Sequence, residues 1–305
     1  MRKAGIVGLV GALLLSSALL LFWNLPEGGR EILLDIRLPE LLLALSFGGL
    51  LGVGGCIYQG VLRNPLADPY ILGVSAGGAF GATLGTVLNG NLEIFALMGG
   101  MATILLLLLV SLAFHDSLRV LLFGVGVNAF LSACVFFAYA VIPTLSLQEA
   151  IYFTLGFIPP VSIKEAFLLL LLSLALLLLL LPFSREVDAL SLGEELSYFS
   201  GVQFRKEGVF LLALTSAVVS VFVAKTGIVG FVGIVVPHAV RFLGFRVHRE
   251  LLPVSFLAGG ALLIFSQAIA RNVIYPTVLP VGVVASLIGV PAFLYILWRF
   301  SLVRS

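Results

Sequence analysis

Long stretches without a charged residue alternate along this chain of 305 residues with short segments that contain charges or prolines. The runs that lack Asp, Glu, Lys and Arg cover 4–26, 41–62, 69–92, 94–115, 120–148, 166–184, 208–224, 226–240, 251–270 and 272–298. An apolar stretch of about 18 or more residues predicts a helix that crosses a membrane. Because Pro276 and Pro280 stand early in the last run, we expect its helix to begin near Val281. The pattern predicts an all-α, polytopic membrane protein with about ten transmembrane helices, in a single domain over 1–305.

The basic residues between the runs predict which ends face the cytoplasm, where Lys and Arg are enriched. With the N-terminus inside, twelve of the 17 basic residues fall in inside connections and five in outside ones. This bias and the even number of spans place both termini in the cytoplasm. The first run follows Arg2 and Lys3, as in a secretory signal peptide. Trp23-Asn24-Leu25-Pro26 follows it instead of a small-residue cleavage site, so an uncleaved first span is the preferred interpretation.

Composition narrows the classes of function. Hydrophobic residues make up 61% of the chain and charged residues 10%, whereas a soluble domain is roughly a quarter charged. No basic run points to nucleic acid. Cys56 and Cys134 lie within apolar runs and predict small packed residues, not a disulfide or a metal pair. The chain lacks a Gly-x4-Gly-Lys-Ser/Thr phosphate loop and a His-Glu-x-x-His zinc pair, so we expect neither enzyme activity nor a bound cofactor or metal.

The interiors of the runs argue against a carrier driven by an ion gradient, which remains the alternative function. Such carriers usually need an ionisable residue within the membrane, and no Asp, Glu, Lys or Arg lies there. His238, after Pro237, is interpreted as a packed or interface histidine. A membrane enzyme has no supporting group of residues.

Two pairs of glycines have the spacing that lets helix backbones touch in lipid. They are Gly48/Gly52 and Gly77/Gly81. Close packing explains them; movement of one helix along another during transport is the functional alternative.

Two inside connections carry specific signals. The first contains Asn64-Pro65 and Asp68-Pro69, which predict a rigid turn, with Asp68 as the cap and Pro69 in the first turn of the third helix. The second, 184–207, contains Ser191-Leu192-Gly193-Glu194 at capping-box spacing and Gly201 as a helix end. It predicts a short helix from Leu192 to Ser200 with Leu192, Leu196 and Phe199 on one face, which either binds a partner or lies on the membrane surface.

The chain resembles the iron-chelate and vitamin B12 permease family of ABC importers from Arg37 to about Arg299. The segments that carry the resemblance are 37–39 (RLP), 64–77 (NPLADPYILGVSAG), 192–194 (LGE), 230–238 (GFVGIVVPH), 248–253 (HRELLP) and 279–283 (LPVGV). Six segments in the right order, each at a span edge, form a specific signal.

The resemblance implies a permease subunit in the cytoplasmic (inner) membrane of a prokaryote. It implies a homodimer with a translocation path on its two-fold axis, two ABC ATPase subunits that hold ATP and Mg, and an extracytoplasmic binding protein. The substrate would be a metal chelate such as an iron-siderophore, haem or cobalamin. The residues implied to contact the ATPase are Leu192, Gly193, Glu194, Glu195, Leu196, Phe199 and Gly201. Those implied to dock the binding protein are Arg37 and Arg271. The turn and conformational motif comprises Asn64, Pro65, Asp68, Pro69, Gly73, Ser75, Gly77, Pro237 and His238.

Some positions depart from the family pattern. Glu40 stands where the family often has Arg, Val247 and Gln267 stand where it has Asp, and 156–160 (GFIPP) replaces its usual Gly-Ser. No family role is assigned to Glu40, Val247 or Gln267, and docking at the outer face is expected to differ.

Overall fold

The computed structural model describes residues 2–25, 29–70, 72–113, 117–141, 144–274 and 277–304, and within these ranges the chain is helical and has no β-strand. The described α-helices are α1 (Arg2–Phe22), α2 (Leu38–Val61), α3 (Val74–Val87), α4 (Leu92–Ala113), α5 (Ser117–Tyr139), α6 (Thr144–Leu155), α7 (Ile163–Leu180), α8 (Ser184–Ser191), α9 (Glu194–Phe199), α10 (Val209–Thr226), α11 (Val232–Phe242), α12 (His248–Asn272) and α13 (Val281–Arg304). Short π-helical turns at Ile32–Arg37 and Phe204–Gly208 lead into α2 and α10. The predicted all-α class is confirmed, as is the start of the last helix at Val281.

Seven helical segments of the described residues are long and apolar enough to cross a membrane. They are Ala4–Phe22, Ile32–Val61, Leu92–Ser111, Leu118–Tyr139, Ile163–Ser191, Lys206–Thr226 and His248–Asn272. Three predicted spans are shorter: α3 has 14 residues, α11 has 11, and the apolar part of the last helix is Val281–Ile296. At 1.5 Å per residue, α11 extends roughly 16 Å, about half of the hydrocarbon core. Absence of charge locates apolar segments but not helix ends, so the described residues show seven full-length spans where ten were predicted.

The fifth apolar run holds two helices where the sequence predicted one span. α5 ends at Tyr139 and α6 begins at Thr144. The prediction used charged residues as boundaries, and this boundary has none. Proline is disfavoured inside a helix, so Pro143 indicated a break in this run, but a boundary defined only by charged residues did not include it.

Contacts within the chain define two compact units. Unit 1 consists of Met1–Cys56, Ile158–Pro182 and Val229–Ser305, and unit 2 of Ile57–Phe157 and Phe183–Ile228. Unit 1 therefore holds α1, most of α2, α7 and α11 to α13, while unit 2 holds α3 to α6 and α8 to α10.

In unit 1, glycines bring α2 and α12 into backbone contact. A Cβ atom on Gly48 would overlap the carbonyl oxygen of Gly259, and one on Gly52 would overlap that of Ser255. Any larger residue would push the two helices apart. The contact predicted from the spacing of this glycine pair is confirmed.

In unit 2, the second glycine pair joins α3 to α4. A Cβ atom on Gly77 would lie 2.6 Å from the carbonyl oxygen of Gly99, and one on Gly81 would overlap the carbonyl oxygen of Phe95. The predicted backbone contact is confirmed here too.

Candidate functional site

The connection between α7 and α10 forms two short helices where the sequence predicted one. α8 ends at Ser191, and α9 runs from Glu194 to Phe199 with Gly193 as its N-cap residue. The predicted capping box is wrong: Ser191 donates its hydroxyl to the carbonyl of Asp188 at 2.6 Å, inside α8. Gly193 separates the helices because its φ of 118° lies in a region that glycine adopts readily.

The end of α9 follows the prediction. Gly201 has a φ of 80°. Its backbone N–H donates to the carbonyl of Tyr198 at 2.9 Å, and the N–H of Val202 donates to that of Ser197 at 2.9 Å. These two bonds form a Schellman motif, which satisfies carbonyls at the helix end.

The α8–α9 segment, residues 184–200, presents an apolar ridge on a buried base. Val187 and Leu190 of α8 and Ser197 of α9 are buried. The ridge consists of the exposed side chains of Leu192, Leu196, Tyr198 and Phe199, and the polar residues Arg185, Ser191, Glu195 and Ser200 are exposed as well. Sequence analysis missed Tyr198, whose ring packs edge-on to that of Phe199 with 6.4 Å between the ring centroids. The side chain of Glu194 lies outside the described residues.

The connection between α2 and α3 is a compact turn, as predicted. The Oδ1 atom of Asn64 accepts from the N–H of Leu66 at 2.9 Å, and the Oδ1 of Asp68 accepts from the N–H of Tyr70 at 3.0 Å. Pro65 is exposed, whereas Pro69 is buried like Asp68. The predicted roles of Asp68 as a helix cap and of Pro69 in the first turn of the helix are both wrong, because α3 begins only at Val74. Asp68 closes an Asx turn instead.

Gly73 is the residue that lets α3 begin after this turn. It is the N-cap residue and has a φ of 85°, which places it in the left-handed region. Gly73-Val74-Ser75-Ala76-Gly77 has the Gly-x-Ser-x-Gly pattern of a hydrolase elbow, so the expectation that the sequence holds no such enzyme pattern was wrong. That elbow joins a strand to a helix. Here Ser75 follows a turn between two helices, so the context of a hydrolase nucleophile is missing.

α11 is a half-length helix that contains Pro237 and His238. The residue before it, Phe231, has a φ of 68°, an unusual value for a residue with a side chain. The Nδ1 atom of His238 is 2.7 Å from the carbonyl oxygen of Ile234, and its ring meets that of Phe293 edge-on. His238 is therefore packed within unit 1, in agreement with its interpretation from the sequence as a packed histidine.

Arg37 is buried at the end of α1 instead of on an exposed face. Its guanidinium donates to the carbonyls of Leu20, Leu21, Trp23 and Asn24 at 2.7–3.2 Å. These carbonyls belong to the last turn of α1 and the residues after it, so Arg37 acts as a C-terminal cap. Docking of a binding protein by Arg37 stays a prediction that this burial does not favour.

Arg271 also has an internal partner. Its guanidinium pairs with the carboxylate of Glu40, whose side chain is 3% exposed, while that of Arg271 is 20% exposed. The side chain of Gln267 lies beside the same carboxylate. Two of the departures from the family pattern, Glu40 and Gln267, thus lie together around Arg271. Its docking role also stays a prediction.

A small polar cavity of about 200 Å³ lies in unit 2 between α3, α5 and α6. Its polar side chains are Ser75, Asn128, Ser132 and Thr154. Asn128 and Ser132 are one helical turn apart on α5 and make no hydrogen bond to other described residues through their side chains. Thr154 is engaged, since it bonds to Tyr139 and to the carbonyl of Ala150. Polar residues four apart on an apolar helix were a signal that the sequence analysis did not use.

Backbone contacts fix the end of α6 beside this cavity. The N–H of Phe157 donates to the carbonyl of Thr226 at 2.7 Å, and the N–H of Ile228 donates to that of Phe153 at 3.2 Å. Gly227 fits between them because a Cβ atom there would overlap the carbonyl oxygen of Phe153. α6 is therefore tied to the end of α10.

A profile of the FecCD transport family matches residues 6–299. The chain belongs to the FecCD transport family. The hemin transport system permease protein HmuU of Yersinia pestis is 34% identical over 306 residues, which cover 95% of this chain and 90% of the relative. The cobalamin import system permease protein BtuC of Halobacterium salinarum is 35% identical over 292 residues, which cover 94% and 78%.

The solved structures include a close match in shape. An inward-facing metal-chelate type ABC transporter superposes with a TM-score of 0.88 and 26% identity, over 97% of this chain and 99% of that one. The resemblance inferred from the sequence segments is confirmed. It extends beyond them at the N-terminal end, because the family match includes α1.

Proposed function

We propose that this chain is the permease subunit of an ATP-driven importer of metal chelates. The family match over residues 6–299 supports this, together with the transporters of hemin, cobalamin and metal chelates among its relatives. The structural observation that carries it is the ridge of α9, because an exposed apolar surface on a buried base is typical of a protein contact. The substrate is one of haem, cobalamin or an iron-siderophore.

The ridge is the proposed contact with the ATPase, which binds ATP and Mg in a separate subunit. Leu196 and Phe199 are 56% and 80% exposed, and Leu192 and Tyr198 extend the same surface. Val187 and Leu190 of α8 are buried, and α8 contacts the turn Phe204–Gly208 that leads into α10, which gives a route for a force on the ridge to reach that helix. Gly193 and Gly201 set the two ends of α9.

The proposed topology has ten membrane-crossing segments, some of them short, and both termini in the cytoplasm. Ion pairs support it, since their members must lie on one side of the bilayer. Arg2 pairs with Glu250 at 2.8 Å, and both are inside in this topology. Lys225 pairs with Glu93 at 2.6 Å, and both are outside, as are Glu40 and Arg271.

The polar cavity beside α5 is the proposed lining of the translocation path. Asn128 and Ser132 offer an amide and a hydroxyl that no described residue occupies. Such groups form weak hydrogen bonds with a polar chelate and release it, which suits a path better than a tight site. Two copies of the chain would enclose the path, and closure of the ATPase pair would open it to one side. An extracytoplasmic binding protein would supply selectivity and dock at the outer face, with Arg271 as the partly exposed candidate contact.

The ridge can be tested by Phe199→Ala in the assembled transporter. The substitution is expected to remove about 1–3 kcal/mol of contact with the ATPase, which lowers substrate-stimulated ATP hydrolysis roughly 5- to 150-fold at limiting ATPase. Phe167→Ala on α7 is the matched control, because Phe167 is 52% exposed within a candidate span. Equal hydrolysis in the two variants would refute the contact. Uptake that survives ATP depletion but stops with a protonophore would favour the gradient-driven carrier instead.

A further inference from the structure

A lateral groove of about 490 Å³ lies in unit 2 between α3, α4 and α5, apart from the polar cavity. Its walls include Phe80, Phe95, Met98, Leu106 and Phe130. Its floor is largely backbone, since the glycines that bring α3 and α4 together have no side chains to fill it. The close contact of these two helices therefore leaves an open groove beside α5.

The chemistry of the groove excludes water as a stable occupant. Thr103 is the one lining residue with a side-chain hydroxyl, and it already donates to the carbonyl of Gly99 at 2.9 Å. A bound water needs two to four polar partners. The volume is more than three times the roughly 150 Å³ of an apolar cavity that takes up benzene. The groove therefore favours a hydrocarbon.

The groove lies along a membrane span and opens at its rim. Its lining on α4 runs from Phe95 to Leu106, 11 residues apart, which is about 16 Å at 1.5 Å per residue. The rim residues Leu84, Met98 and Phe130 are 37%, 62% and 69% exposed. Because the lining on α4 falls within the candidate span Leu92–Ser111, the solvent around this rim in a membrane is lipid hydrocarbon.

The dimensions of the groove fit one acyl chain but not an α-helix. Its volume divided by this length gives a mean cross-section of roughly 30 Å², whereas a helix about 10 Å across needs roughly 80 Å². We propose that the lateral groove binds one acyl chain of a membrane phospholipid. The acyl chain fills the space beside Val127 and Leu131 of α5, and the adjoining face of the same helix carries Asn128 and Ser132 of the polar cavity. The bound lipid thus supports the helix that lines the proposed path.

The first test uses the wild-type transporter and a phospholipid that carries a photoreactive diazirine in the middle of its acyl chain. After irradiation in the membrane, peptide mapping is expected to find the label concentrated on the α4 and α5 peptides that contain Leu106 and Phe130. Label spread evenly over all lipid-facing helices would overturn the proposal.

The second test fills the groove. Native mass spectrometry of detergent-washed transporter is expected to detect one retained phospholipid for each copy of the chain. Ala102→Trp places an indole in the groove and should remove that lipid, whereas Ala175→Trp, on an exposed position of α7, should not. Equal lipid content in both variants would overturn the proposal. So would a disulfide between two copies through Phe130→Cys in a Cys134→Ser background, because a second copy would then cover the groove.

Discussion

The buried ion pair between Glu40 and Arg271 allows a strict test of what burial does to an ion pair in this protein. Glu40→Gln keeps the size of the side chain and removes its charge. Two arginines, Arg37 and Arg271, then remain near a neutral amide in place of the carboxylate. The control is Glu250→Gln, which breaks the pair with Arg2 in the same unit, where the side chains are 47% and 54% exposed.

The expected difference follows from these exposures. Removing one partner of a buried pair costs about 3–5 kcal/mol, and we take the lower value because Arg271 reaches solvent. Breaking an exposed pair costs roughly 0–1 kcal/mol. At about 2–4 °C per kcal/mol, Glu40→Gln should lower the melting temperature by roughly 6–12 °C and Glu250→Gln by no more than about 4 °C.

The structure supplies a reporter for this measurement. The thiol of Cys56 is buried on α2, where it donates to the hydroxyl of Ser255 at 3.2 Å. In a Cys134→Ser background, a thiol-reactive dye added to the detergent-solubilised protein therefore reports opening of this helix on heating. Adding Arg271→Gln to Glu40→Gln should cost less than the sum of the single changes, since it removes an unpaired charge. Equal melting temperatures for Glu40→Gln and Glu250→Gln would refute the reasoning.

Three further changes test other parts of the structure. Gly77→Ala should lower the melting temperature by several °C in the same assay, because its Cβ would overlap atoms of α4. Gly126→Ala on α5, whose Cβ would have nothing within 4 Å, should be neutral or slightly stabilising. Equal melting temperatures for the two variants would contradict the packing of α3 against α4. Asn128→Leu should lower chelate uptake several-fold in proteoliposomes and leave basal ATP hydrolysis unchanged, and unchanged uptake would remove Asn128 from the path. Asp68→Ala should cost about 1 kcal/mol through loss of the Asx turn, measured against the exposed Asp35→Ala, which should cost almost nothing.

The sequence predicted correctly those features that depend on neighbouring residues alone. Lipid cannot satisfy backbone polar groups, so apolar runs become helices, and the all-α class followed from them. The glycine pairs on α2 and α3 predicted backbone contact because only missing side chains permit it. Gly201 predicted the end of α9 because its conformation depends on the residue itself.

Ends and partners of helices were harder to predict. The capping box at Ser191 had the right spacing, but Gly193 broke the helix first. Pro143 marked a break between α5 and α6 that a search for charges could not detect. α3 and α11 likewise begin several residues after the start of their apolar runs, 69–92 and 226–240, which makes both spans short.

The sequence by itself determined that this chain is a helical membrane protein of the FecCD type, because hydropathy, glycine spacing and short motifs are properties of neighbouring residues. The tertiary structure alone decided that Arg37 caps α1 and that Glu40 pairs with Arg271, 231 positions away. It also decided that an apolar groove lies beside α5. Partner choice and empty space depend on how helices distant in sequence pack, and one sequence records no distances between them.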